Sequence, residues 1–111
     1  MPTMTDRQSV AANATVQNVL AGKIFEFAQR PSVLRLYATA AAVGLNVSFV
    51  VGARVIVDDQ EVNAQNRMPL VPDDLLAEAG ARPGERIVVR LRNTTAGAIT
   101  AFTRLDLIPV R

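Results

Sequence analysis

The chain contains no cysteine, no histidine and no tryptophan. Without cysteine there are no disulfides and no Cys-rich zinc sites, and the redox compartment is left open. Without histidine there is no haem–His ligation and no Ser-His-Asp or Cys-His catalysis. Lysine is nearly missing too: eleven of the twelve cations are arginine, and Lys23 is the exception. The rings are limited to Phe25, Phe27, Phe49, Phe102 and Tyr37. That is too few for the stacking platforms that hold single-stranded nucleic acid, and it counts against a carbohydrate-binding sandwich.

What is present fits one globular domain. The chain has 111 residues, half of them apolar and a fifth charged, with a formal net charge of +2. This length holds a single core and no second domain. Residues 1–14 are polar and mixed, show no period and do not read as a secretory signal peptide. We expect an extended or flexible N-terminal arm there, followed by a single β-sandwich domain over 15–111.

Residues 36–53, LYATAAAVGLNVSFVVGA, carry no charge. A membrane helix needs about twenty predominantly apolar residues. This stretch is barely that long and includes Thr39, Gly44, Asn46, Ser48 and Gly52. Its period is two, not 3.6. Leu34, Leu36, Ala38 and Ala40 alternate with Arg35, Tyr37 and Thr39, and Leu45, Val47, Phe49 and Val51 alternate with Asn46 and Ser48. That pattern predicts two half-buried strands, joined by a bend at 42–44 and paired antiparallel, and not a membrane span.

The same period recurs near the C-terminus. Ile87, Val89 and Leu91 alternate with Arg86, Val88, Arg90 and Arg92. Ile99, Ala101, Thr103, Leu105 and Leu107 alternate with Thr100, Phe102, Arg104 and Asp106. With Asn93–Thr94–Thr95–Ala96–Gly97 as the turn, this reads as a strand–turn–strand hairpin. Strands are also expected within 15–30, with Phe25 and Phe27 on one face, and at 53–57. Residues 62–72 should be extended around Pro69 and Pro72. Asp73 or Asp74 can cap a short helix near 73–79, which Gly80 would end. The fold class expected is all-β: a small antiparallel β-sandwich, jelly-roll or Greek-key-like, with that one helix.

Few residues suggest chemistry. Asp58, Asp59 and Glu61 lack the order of a calcium loop and read as a solvated turn. Asp73 and Asp74 read as caps. Asn93-Thr94-Thr95 matches a glycosylation acceptor, but reads more simply as turn chemistry. No metal, cofactor or catalytic residue is expected. The candidate interface is Arg86, Val88, Arg90, Arg92, Phe102 and Arg104, gathered on the outer face of the expected hairpin. Arginine favours interfaces, and Val88 and Phe102 lie where a lone sandwich should be polar.

The segments NATVQNVLAGKIFEF, LYATAAAVGLNVSFVVGARVI and NRMPLVPDDLLAEAGARPGERIVVRLRNTTAGAITAFTRLDLIPV resemble small virion proteins of bacteriophages. The resemblance runs from about residue 13 to the C-terminus. It rests on P-x-x-P-D-D and on G-E-R-I-V-V-R-x-R-N-T-T. It implies a non-enzymatic capsid protein of the minor, decoration or cement type, on the capsid surface of the virion. Its partners would be itself, as a homo-oligomer such as a trimer, and the major capsid protein, with no membrane and no nucleic acid. The alternatives are a small nucleic-acid-binding β-barrel using the arginine face, or a tail or receptor-binding sandwich module.

Overall fold

A computed structural model of the chain describes residues 3–22, 26–65, 68–69 and 74–109. Nine strands follow one another among them: β1 (Thr3–Val10), β2 (Thr15–Val16), β3 (Ser32–Ala40), β4 (Leu45–Val51), β5 (Arg54–Glu61), β6 (Asn63–Ala64), β7 (Leu75–Ala81), β8 (Ile87–Asn93) and β9 (Ile99–Pro109). They form two sheets. One has the order β1-β9-β3, with β6 and β7 sharing the far edge of β3; the other has the order β2-β8-β4-β5.

The pairings are nested. β1 pairs with β9, β2 with β8, β3 with β7 and β4 with β5, all antiparallel. Such a chain is one long hairpin of four strand pairs. Rolling it up brings β9 against β3 and β8 against β4, which closes the two sheets. This is jelly-roll topology.

Rolling has a local consequence. β3 and β4 do not pair with each other, and neither do β8 and β9: in each case the two strands lie in opposite sheets. The turns at 41–44 and 94–98 are therefore arches over the end of the sandwich, where hairpins were expected. The β4–β5 connection at Gly52 and Ala53 is a true two-residue hairpin, with Gly52 at φ 61°. Alternation fixes which side chains point inward, but it is the same for an arch and a hairpin.

Two further expectations are corrected. Thr3–Val10 is not an arm: it pairs with Ile99–Asp106 over its whole length, as the edge strand of the first sheet. The helix expected near 73–79 is not formed by the described residues of that span. Leu75–Ala81 is strand β7, while Asp73 lies outside the described residues. Leucine, alanine and glutamate favour helix when isolated. Here Ala77, Ala79 and Ala81 register with the inward-facing Leu36, Leu34 and Ser32, and that sheet context decides. Of the expected strand through 23–30, residues 23–25 (Phe25 included) lie outside the described set. Phe27 makes an isolated bridge to Arg86. In the extended stretch at 62–72, Asn63 and Ala64 form β6, and residues 66, 67 and 70–72 lie outside the described residues.

The core is built by the inward rows expected from the period. Leu34, Leu36, Ala38 and Ala40 of β3 and Ile99, Ala101, Leu105 and Leu107 of β9 face Leu45, Val47, Phe49 and Val51 of β4 and Ile87, Val89 and Leu91 of β8. Each large side chain so buried contributes about 1.5–3 kcal/mol of transfer free energy. The uncharged 36–53 stretch is thus β3, an arch and β4. No helix among the described residues is long and apolar enough to cross a membrane.

Candidate functional site

The rolled topology separates the six interface candidates. Val88, Arg90 and Arg92 stand on the outer face of β8, with Arg86 immediately before the strand, in the second sheet. Phe102 and Arg104 stand on the outer face of β9, in the first. They share no face.

Arg86 and Arg92 are engaged within the chain. Arg86 bonds the carboxylate of Glu26 at 3.0 Å. The Gly22 N–H also donates to Glu26 at 3.0 Å, and this bond, followed by Arg86, holds the Glu26 carboxyl below its ordinary value. Arg92 makes a two-pronged contact with Asp59. That hydrogen bond, with help from Asn46 and the charge of Arg90, keeps the Asp59 carboxyl low, and Asp59 in turn raises Arg92. Asp59 reaches across because β5 is bulged: Asp58 and Asp59 stand opposite Ser48 alone, with Asp59 at φ 52° and its N–H bonded to Ser48 Oγ at 3.0 Å. Arg90 makes no salt bridge among the described residues. Val88 is flanked by Val50, which in turn pairs with the exposed Val55.

The outer face of the first sheet carries a second set of buried side chains. Tyr37, Thr39, Phe102 and Asp106 are all at most 6% exposed, although they point away from the core. Cross-strand rows explain this. Arg7 of β1 is the register partner of Phe102 and lies over its ring, 5.6 Å from the centroid. Arg104 is the partner of Tyr37 and lies over that ring at 5.9 Å. Arg104 Nε and Thr3 Oγ1 both donate to Asp106 Oδ1 at 2.9 Å. In the next strands of the same row, Arg35 meets Glu78 at 2.9 Å. Guanidinium groups thus roof the two rings, a favourable use of the ring faces.

Two asparagines, which the sequence reading did not single out for this role, hold the frame. Asn18 follows the two-residue β2 and uses its amide as a strand would. It donates to the Ile87 carbonyl at 3.3 Å and accepts from the Val89 N–H at 3.1 Å. Asn93, 1% exposed, donates to the carbonyls of Val10, Ala11 and Gly97 and accepts from Thr95 N–H and Oγ1. It ties the β1–β2 connection to the β8–β9 arch. With its amide nitrogen so occupied, the Asn93-Thr94-Thr95 sequence is closed to glycan attachment in the folded chain. Its turn chemistry was visible in the sequence, but the long-range bonds to Val10 and Ala11 carry no local signal.

Shallow depressions lie at the opposite end of the sandwich. The larger, 360 Å³, is lined by Gln29, Arg30, Ser32, Leu107 and Pro109. Among the described residues no three His, Cys, Asp or Glu side chains are grouped to hold a metal ion. The notable surfaces are therefore two arginine-bearing sheet faces and the sheet edges. Compared with protein-family models, with curated proteins and with solved structures, the chain matches none.

Proposed function

We propose that this chain is a non-enzymatic structural protein of a bacteriophage virion, of the capsid decoration, cement or minor capsid type, which stabilises the shell by symmetric self-association. The observation that carries the reading is the jelly roll itself, an architecture that recurs in viral capsid domains. Lectins and cupins share it, so the fold alone gives only an association. The surface adds support. The side chains that would serve a partner sit on flat sheet faces and edges, which suit repeated contacts in a shell, where multivalency turns modest interfaces into firm attachment.

Nucleic-acid binding through the arginine face is the weaker reading. Arg86 and Arg92 are paired with Glu26 and Asp59, and Arg104 with Asp106, so phosphates would have to displace carboxylates. Mass spectrometry of virions purified from the phage that carries the gene tests the proposal. The chain should be present in many copies per particle. Its absence from washed particles overturns the reading.

A further inference from the structure

The two sheets end in four edges, and three of them are blunted. β2 is only two residues long, and the Asn18 amide takes the place of its continuation. β5 has two register shifts against β4 and presents Asp58, Asp59 and Glu61. β7 shares its edge with β6, has a register shift against β3 and contains Gly80. Bulges, short strands and charge are the devices that keep edges from pairing.

β1 has none of the first two and no proline, glycine or lysine. Its eight residues, TMTDRQSV, pair with β9 without a single shift. Among the described residues no strand pairs with its other side. A regular edge of this kind presents a row of backbone N–H and C=O groups that only another extended chain can complete.

Which chain completes it follows from closure. Pairing β1 with a different edge of a second copy leaves that copy's β1 open, and the contact propagates. Pairing β1 with β1 around a two-fold axis uses both open edges and stops. We propose that β1 is the interface of a two-fold dimer, in which the β1 strands of two copies pair antiparallel, centred on Thr5, and join two sheets into one. This rests on the self-associating role proposed above and gives it a defined contact.

Charge and overlap together select the register: an axis at Met4 opposes no like charges but pairs only Thr3 to Thr5 of the strand. Opposed residues in such a pair point to the same side of the sheet, so the axis falls on a residue. An axis at Asp6 sets two carboxylates face to face, and one at Arg7 sets two guanidiniums face to face. An axis at Gln8 opposes Asp6 to the buried Val10 and runs the partner's Thr3–Thr5 into the turn at 11–13. An axis at Thr5 opposes Thr5 to Thr5, Thr3 to Arg7 and Met4 to Asp6, with no like charges in contact.

The chain has no cysteine, so one introduced thiol is a clean probe. In the Thr5-centred register, the two Thr5 Cβ atoms lie about 5 Å apart, close to the span of a disulfide at about 4 Å. Two Ser9 residues lie about 26 Å apart, eight strand residues along. Under mild oxidation, Thr5→Cys should become a covalent dimer while Ser9→Cys does not. Thr5→Asp, which suits its own register partner Arg104, opposes two carboxylates at the axis. It should weaken dimerisation about tenfold or more by light scattering, with an unchanged far-ultraviolet spectrum. Equal cross-linking of the two cysteine variants, or an unchanged mass for Thr5→Asp, overturns the β1 interface. A chain that is monomeric at all concentrations yet abundant in virions overturns this interface and leaves the virion role standing. A β1 dimer absent from virions does the reverse.

Discussion

Asn93 Nδ2 donates to the carbonyl oxygen of Val10 at 3.0 Å, joining the end of β8 to the end of β1 across 83 positions of chain. The same nitrogen also serves Ala11 at 3.2 Å and Gly97 at 2.8 Å. Truncation strands the buried Val10 carbonyl and removes the tie to Ala11 and Gly97, exposed residues whose carbonyls water can reach. A buried group left unpaired costs about 1–3 kcal/mol. Asn93→Ala should therefore lose about 2 kcal/mol of stability in urea denaturation. Asn93→Asp, which keeps the acceptor for Thr95 and loses the donors, should fall nearly as far. A loss below about 1 kcal/mol for both would show that the bonds are not formed.

Gly44 sets the second arch at the same end. Its φ is 111°, and a Cβ there would fall on Thr95 Cγ2. Its carbonyl accepts from Thr94 N–H at 2.9 Å and Thr94 Oγ1 at 2.7 Å, so the arch cannot swing away freely. Gly44→Ala should cost about 2–3 kcal/mol, from backbone strain and from the clash. Adding Thr95→Ser removes the methyl but keeps the hydroxyl, and should restore only the clash part. Full restoration would mean the positive φ costs nothing.

The inward rows of β3, β4, β8 and β9 were legible because period two survives any arrangement of the strands. Leu34 through Ala40, Leu45 through Val51, Ile87 through Leu91 and Ile99 through Leu107 are buried on the alternate positions the pattern marks, with Thr103 among them. The partner of each strand was not legible. Asn93–Gly97 looks like a hairpin turn, but whether the chain turns within a sheet or over its end depends on β1 and β4, distant in sequence. That one ambiguity dispersed the candidate interface over two sheets. β7 was hidden by helix-favouring residues. Phe102 was rightly placed away from the core, but its cover, Arg7, comes from a segment with no hydrophobic period of its own.

Asp106 is 2% exposed and accepts from Thr3 and Arg104. Removing one member of a buried, hydrogen-bonded charge pair leaves the other uncompensated, at about 3–5 kcal/mol when both are buried. Arg104 keeps a side chain 30% exposed, so water relieves part of that. Asp106→Ala should cost about 2 kcal/mol. Thr3→Val, which removes one donor and keeps the shape, should cost about 1 kcal/mol. If Asp106→Ala is neutral in thermal denaturation, the row Thr3–Asp106–Arg104 is not a stabilising contact.

Acid should release the arginine-bearing face of β8. Glu26 and Asp59 both titrate below their ordinary values in the folded chain, through Gly22 and Arg86 in one case and Arg92 in the other. A carboxyl whose folded value is depressed adds stability that is complete above its unfolded value and is lost as pH falls through the folded one. For Glu26 that loss sets in below its ordinary 4.5, and for Asp59 below its ordinary 3.8. Asp59, Arg92 and Arg86 face solvent and Glu26 is partly covered, so the effect is modest and shrinks with added salt. Denaturation midpoints of the wild type should therefore fall more steeply between about pH 5 and pH 3 than those of a Glu26→Gln, Asp59→Asn double variant, and the two curves should converge at the acid end. Parallel curves across that range would mean that neither carboxylate is held by its arginine in solution, and that the face of β8 stands free for a partner at neutral pH.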